Sequence, residues 1–191
     1  NQIDDEGLRH LKPLTSLSRL EVSDVGGAGV VHLASLTGLH DLHLGFSQRL
    51  TDDGLQPLAN LAHLRKLSLN DSSIGDAALA HLPLERLDWL DLGRTHITSA
   101  GLKHLANTPG LKFLALYGTE VDDSGLEHLA RLPRLEVLNL ADTRVGDDGL
   151  VQLRQLKTLQ QVLLPNTSVT SAGIADLRAA LPQCHVTWSG P

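Results

Sequence analysis

The chain is poor in several things at once. Its 191 residues include one cysteine, no methionine, and five aromatic side chains: two Trp, two Phe and one Tyr. A lone Cys184 cannot close an internal disulfide, which excludes the stapled cores of small secreted domains; it is compatible with a reducing compartment without requiring one, so localisation stays open with a slight lean to the cytoplasm. A chain without methionine even at position 1 reads as a piece of something longer. No apolar stretch approaches the roughly 18 residues a spanning helix needs, and no basic, apolar leader opens the sequence, so no membrane segment is expected. Positive charge is scarce as well: 16 Lys and Arg stand against 22 Asp and Glu, a formal charge of −6, with no basic run longer than a pair. A phosphate backbone would find no electrostatic footprint here, and nucleic acid is excluded as the expected partner.

What is abundant is leucine, 42 residues or about one in five. Its spacing repeats at close to 24. The segments Leu87–Thr95, Leu111–Thr119, Leu135–Thr143 and Leu159–Thr167 superimpose, with apolar residues at offsets 0, 3 and 5 and threonine at offset 8. Earlier blocks follow with small slips: Leu64, Leu67, Leu69 and Ser72; Leu39, Leu42, Leu44 and Ser47; Leu17, Leu20 and Val22. The whole chain therefore reads as one repeat domain, 1–191, with a half repeat at 1–16, seven repeats over 17–182 and a half repeat at 183–191.

Each block changes period midway. Its first half alternates, as in Leu138-Asn139-Leu140, and predicts a short strand with one buried face. Its second half, as in Gly125-Leu126-Glu127-His128-Leu129-Ala130-Arg131-Leu132, carries leucine every third residue and predicts a helix; residues 4–14 predict a helix that partly covers Leu17 and Leu20. Two residues before the helix glycine, or before Ala78 in the one block without it, stand Asp5, Asp52, Asp76, Ser99, Asp123, Asp147 and Ser171, which are expected to cap their own helices. The acidic pairs Asp52-Asp53, Asp122-Asp123 and Asp147-Asp148 recur at that position, with no glycine-spaced ligand loop after them, and read as caps rather than calcium ligands. His10, His32, His81, His104 and His128 share one helix position, but residues on successive helices lie about 8–10 Å apart, too far for one ion to bridge. No metal or other cofactor is expected.

The pattern LxxLxLxxT followed by I-T-S-A-G-L-x-H-L resembles leucine-rich repeat proteins along the entire chain. Its second half is similar to the cysteine-containing repeats of F-box substrate receptors and to bacterial GALA-type repeats, although Thr95, Thr119, Thr143 and Thr167 stand where those carry Cys or Asn. With no F-box preceding it, no ubiquitin-ligase role is carried over. The fold implied is an α/β leucine-rich repeat solenoid, a right-handed βα superhelix with a parallel sheet on the concave face and helices on the convex face. Strands about 4.8 Å apart and helices about 8–10 Å apart make each repeat a wedge. The offset-8 hydroxyls should satisfy buried backbone groups at the strand ends. An N-terminal half repeat and an open C-terminal strand, Cys184–Trp188, guarded by Pro191, leave monomer and edge-paired dimer both open.

Function is then sought among strand positions that point away from the leucines. Three of the five aromatics fall there, in two adjacent repeats: Trp89 beside Phe113, Val137 next in that column, and Tyr117 two outward positions, or four residues, along the chain from Phe113. They are expected to form a continuous apolar patch with a polar rim of Asp91, Lys66, Asn70 and Lys112. The resemblance implies a protein-protein interaction module, binding a protein partner on this face; the alternative is a spacer or scaffold arc of a larger protein, self-associating through its edges. An enzyme is not expected: no nucleophile–base pair or phosphate loop occurs, and the best catalytic grouping, His43 with Asp41 and Glu21, lies on an open surface.

Overall fold

The computed structural model describes residues 3–190; the guarding role expected of Pro191 lies outside them. Eight three-residue strands form one parallel sheet in chain order: β1 (Arg19–Glu21), β2 (Asp41–His43), β3 (Lys66–Ser68), β4 (Trp89–Asp91), β5 (Phe113–Ala115), β6 (Val137–Asn139), β7 (Gln161–Leu163) and β8 (His185–Thr187). Every pairing is in register, so Leu42, Leu67, Leu90, Leu114 and Leu138 stack as one fully buried column. Leucines from the returning segments fill the space behind it, for example Leu55, Leu58, Leu102, Leu105, Leu126 and Leu129, all without solvent exposure. This is an α/β leucine-rich repeat solenoid. Leucine dominates because a repeating wedge offers the same cavity shape each time, and one side chain fills it.

The returning segments are less uniformly helical than the sequence implies. Four are α-helices: α1 (Gly27–Leu33), α2 (Asp123–Leu129), α3 (Asp147–Leu153) and α4 (Ser171–Ala180). The others are 3-10 turns at Gly7–Leu11, Asp53–Asn60, Asp76–His81, Leu84–Arg86 and Gly101–Asn107. The helix expected over 4–14 is thus a single 3-10 turn, and Leu17 and Leu20 remain half-buried. A three-residue leucine spacing fits both geometries, since side chains eclipse at i and i+3 in a 3-10 helix. Pro57, inside Asp53–Asn60, has no N–H to give to either pattern and removes one bond from that segment.

The capping expectation is corrected. Asp5, Asp52, Asp76, Ser99, Asp123 and Asp147 do not cap their own segments; each accepts a backbone N–H from the following repeat, at Gly26, Gly75, Thr98, Asp122, Gly146 and Thr170, over 2.6–2.9 Å. Intrahelical capping falls instead to Asp122, which accepts from Ser124 N–H, and to Thr170, which accepts from Gly173 N–H. The reason is geometric: the strand-like approach to each segment leaves its last extended N–H facing the preceding repeat, within reach of a short carboxylate. Gly27 occupies the same column with no side chain, and there a Cβ on Gly54 would meet Gly27 Cα at 2.8 Å.

At the other end of each strand the hydroxyls behave as expected. Thr95, Thr119, Thr143 and Thr167 donate to Leu92, Leu116, Leu140 and Leu164 carbonyls at 2.6–2.8 Å, and Ser72 does the same to Leu69. Between strand and hydroxyl the chain turns through a left-handed residue in every repeat: Asp24, Phe46, Asp71, Arg94, Asp142 and Asn166 have φ of 53–56°, and Gly118 and Gly190 have 65° and 71°. Asp, Asn and Gly tolerate this region; a phenylalanine there is an outlier.

Candidate functional site

The register puts Lys66, Trp89, Phe113 and Val137 side by side on β3 to β6, in the concave column nearest the strand starts. Trp89 and Phe113 stack face to face, ring centroids 4.7 Å apart and planes 9° from parallel. His43 leans on the other flank of Trp89, centroids 5.9 Å apart. The rings are half-buried rather than fully exposed, because Trp89 and Phe113 each cover a face of the other. Such a stack presents a large rigid surface that loses little entropy on binding.

Tyr117 reaches the site by a different route. A Cβ on Gly93 would collide with its ring, so the tyrosine lies across the glycine of the preceding repeat. Arg94 sits over that ring, its guanidinium carbon 5.8 Å from the centroid, and is 3.6 Å from Asp71. Asn70 similarly fills the space left by Gly45; it accepts from Ser68 Oγ and donates to Asp71 Oδ2 at 2.8 and 2.9 Å. Burial, together with the nearby Asp91 and Asp71 carboxylates, pushes the Tyr117 hydroxyl above its ordinary pKa.

Asp91 lies between these two groups of rings, in register with Ser68 on one side and Ala115 on the other. Its Oδ1 accepts from Gly93 N–H at 2.9 Å. Burial raises its pKa, outweighing that hydrogen bond and the weaker attraction of His43, and Asp71 adds to the rise. Lys66 is exposed and, among the described residues, in no ion pair; Lys112 is drawn away to Glu136 at 3.1 Å. Of the rim expected from the sequence, Asp91 and Asn70 therefore converge with Tyr117, Lys66 flanks Trp89, and Lys112 is committed elsewhere.

Charge divides the concave face in two. From β1 to β4 its outward columns hold Arg19, Glu21, Asp41, Lys66 and Asp91, whereas from β5 to β8 they hold no Asp, Glu, Lys or Arg. At the charged end a polar cavity of about 520 Å³ is lined by Ile3, Glu21, Val22, Ser23, His43, Gly45, Phe46 and Asn70. His43 Nε2 stands 2.8 Å from Asp41 Oδ1, and Arg19 is 3.7 Å from the same carboxyl group and 3.6 Å from Glu21. Among the described residues no three His, Cys, Asp or Glu side chains are placed to hold a metal ion. Nor is any described helix long and apolar enough to cross a membrane.

Phe46 was missed by reading outward strand positions alone. It is 64% exposed, on the rim of that cavity, one residue beyond the third outward column. Its signal in the sequence is an aromatic in a column otherwise made of Asp, Asn, Gly and one Arg. The other large exposed apolar side chains, Leu14, Val31 and Val151, stand outside the outward strand columns, Val31 in α1 and Val151 in α3.

Comparisons agree with this architecture. The family model described as "Leucine Rich repeat" matches residues 36–59 and 132–153. No curated protein sequence matches the chain. Among solved structures, an internalin C2 of Listeria monocytogenes is similar over 97% of this chain and 76% of its own, with 24% identity and a TM-score of 0.75. A leucine-rich repeat protein of Leptospira interrogans is similar over 93% of this chain and 50% of its own (19% identity, TM-score 0.62). A second Listeria monocytogenes internalin, inlF, is similar over 94% and 69% (20% identity, TM-score 0.51). The class is thus a leucine-rich repeat solenoid, a fold that commonly serves protein-protein interaction.

Proposed function

We propose that this chain is a protein-interaction module whose partner binds on the concave sheet, centred on Trp89, Phe113, Tyr117 and Val137, with Asp91, Asn70 and Lys66 around them. The observation that carries this reading is the Trp89–Phe113 stack at the start of an uncharged half-face. Leucine already fills the interior, so these rings are not needed for the core, and paired rings on an open surface are the usual anchors of an interface. Phe46 extends the same face toward the charged end. The repeats keep their sequence likeness to F-box-receptor and GALA-type units, and the bacterial sources of the solved neighbours support a bacterial origin; no ubiquitin-ligase role is proposed.

The test is selection of binders from a displayed protein-fragment library on the wild type and on a Trp89→Ala/Phe113→Ala double variant. Recovery that depends on the rings is expected. Identical binders at identical yield from both proteins would remove the site assignment. A second reading is a scaffold arc that self-associates through β8, which pairs only with β7 among the described strands. Light scattering separates the two: a monomer at micromolar concentration counts against edge pairing.

A further inference from the structure

Five carboxylates lie on or beside the charged half of the concave face, and four have a cation at hand. Glu21 and Asp41 have Arg19, with His43 also at Asp41; Asp71 has Arg94, and Asp24 has Arg49. Asp91 has none within 4 Å among the described residues, and its one hydrogen-bond donor is the Gly93 N–H. Lys66, on the same face, stays exposed and does not neutralise it. Asp91 also sits where a side chain from outside could reach it. Asp91 is itself part-exposed, and its row neighbours, Ser68 and Ala115, are too small to bring a charge to it. The Trp89–Phe113 stack begins two residues before Asp91 on β4, and Tyr117 lies over Gly93, two residues after it.

We infer that the Asp91 carboxylate, between the Trp89–Phe113 stack and Tyr117, receives a cationic side chain, an arginine or lysine presented by the protein partner. The inference rests on the concave face being the partner surface. Its chemistry is complementary on both counts: aromatic faces attract a cation through their negative quadrupole, and a part-buried carboxylate gains a charge-assisted hydrogen bond. The protein makes the same arrangement internally one repeat edge away, where Arg94 covers Tyr117 and pairs with Asp71. A carboxylate left part-buried without a counter-charge destabilises the free protein. Burial already holds the Asp91 carboxyl above its ordinary range, and an entering cation reverses that cost.

The experiment is an NMR titration of the full chain with acetyl-Gly-Arg-Gly-amide, its lysine counterpart, and its citrulline counterpart, which keeps the shape of arginine without the charge. Shifts at the Trp89 indole N–H and the Gly93 and Ala115 amides are the readout. The arginine and lysine peptides should move these signals, with the citrulline peptide weaker by roughly tenfold and Asp91→Asn losing a similar factor for arginine. Equal binding of citrulline and arginine, abolished by Trp89→Ala/Phe113→Ala, would overturn the cation while leaving the aromatic surface in place as a partner site. Arginine-induced shifts confined to other carboxylates, unchanged binding by Asp91→Asn, or no shift at these three signals would also overturn it. Whether the face binds a partner at all is read separately, by the ring-dependent selection above.

Discussion

Tyr117 and Gly93 occupy one site between them: the ring, two residues beyond β5, lies where a side chain of the preceding repeat would otherwise stand. The third outward column therefore alternates empty and filled positions, with Asn70 over Gly45 and Tyr117 over Gly93. Because the atom a Gly93 Cβ would meet belongs to a half-exposed ring, Gly93→Ala should swing the tyrosine away rather than unfold the chain. Ring-dependent binding is expected to fall while Tm changes by no more than a degree or two. A large loss of Tm with binding intact would show that the glycine serves the backbone and not the site.

Asp123 ties one repeat to the next through Gly146 N–H, 2.6 Å away. Asp123→Ala strands that donor and should cost about 1–3 kcal/mol, with Asp123→Asn recovering most of it. Urea denaturation monitored by circular dichroism measures this directly. An alanine variant as stable as wild type would mean that water replaces the carboxylate.

Phe46 holds a left-handed backbone at φ 56° while its ring is 64% exposed. Asp24, Asp71, Asp142 and Asn166 occupy the same turn in other repeats, so Phe46→Asn should stabilise the fold by roughly 1 kcal/mol. Its N–H bond to the Asn70 carbonyl, at 2.8 Å, would be retained. Thermal unfolding that shows the asparagine variant to be less stable would place the ring's packing above the backbone strain.

Asp91 and Asp147 should respond to pH in opposite senses. Burial raises the Asp91 pKa in the folded state above its ordinary value of 3.8, so its ionisation opposes folding. Asp91→Asn should therefore be more stable than wild type at pH 7, and the gap should close as pH falls through the folded-state pKa toward 3.8. Asp147 is held below 3.8 by hydrogen bonds from the Thr170 hydroxyl and N–H. Its stabilisation is present above 3.8 and lost as pH falls through the lower folded value, so Asp147→Asn should be the less stable protein at pH 7 and approach wild type only in strong acid. Paired melting curves from pH 7 to pH 3 test both; gaps that do not change with pH would contradict the assigned titrations.

A regular repeat makes much of this protein legible from its residues. Once offsets 0, 3 and 5 recur every 24 or so, the buried column Leu42, Leu67, Leu90, Leu114, Leu138 follows, and so does the adjacency of Trp89 and Phe113. Parallel register in a solenoid is set by repeat length alone. The threonine hydroxyls were legible for the same reason, since each bonds a carbonyl three residues away within its own turn. These are short-range or strictly periodic relations, and the amino-acid order carries them in full.

What the tertiary structure decided lies between repeats. The Asp column looks like a set of helix caps because its residues precede helices, yet each carboxylate bonds an N–H 21 to 23 residues onward. A single repeat contains the acceptor but not the donor it meets. Likewise nothing local places Tyr117 over Gly93, leaves Asp91 without a cation while its neighbours are paired, or puts Phe46 into a left-handed turn. The sequence by itself determined which side chains face inward, because a period is a local property. Which outward side chains touch, and which charge stays unmatched, was decided by stacking, because a side chain leaning across one repeat takes up space that belongs to the next.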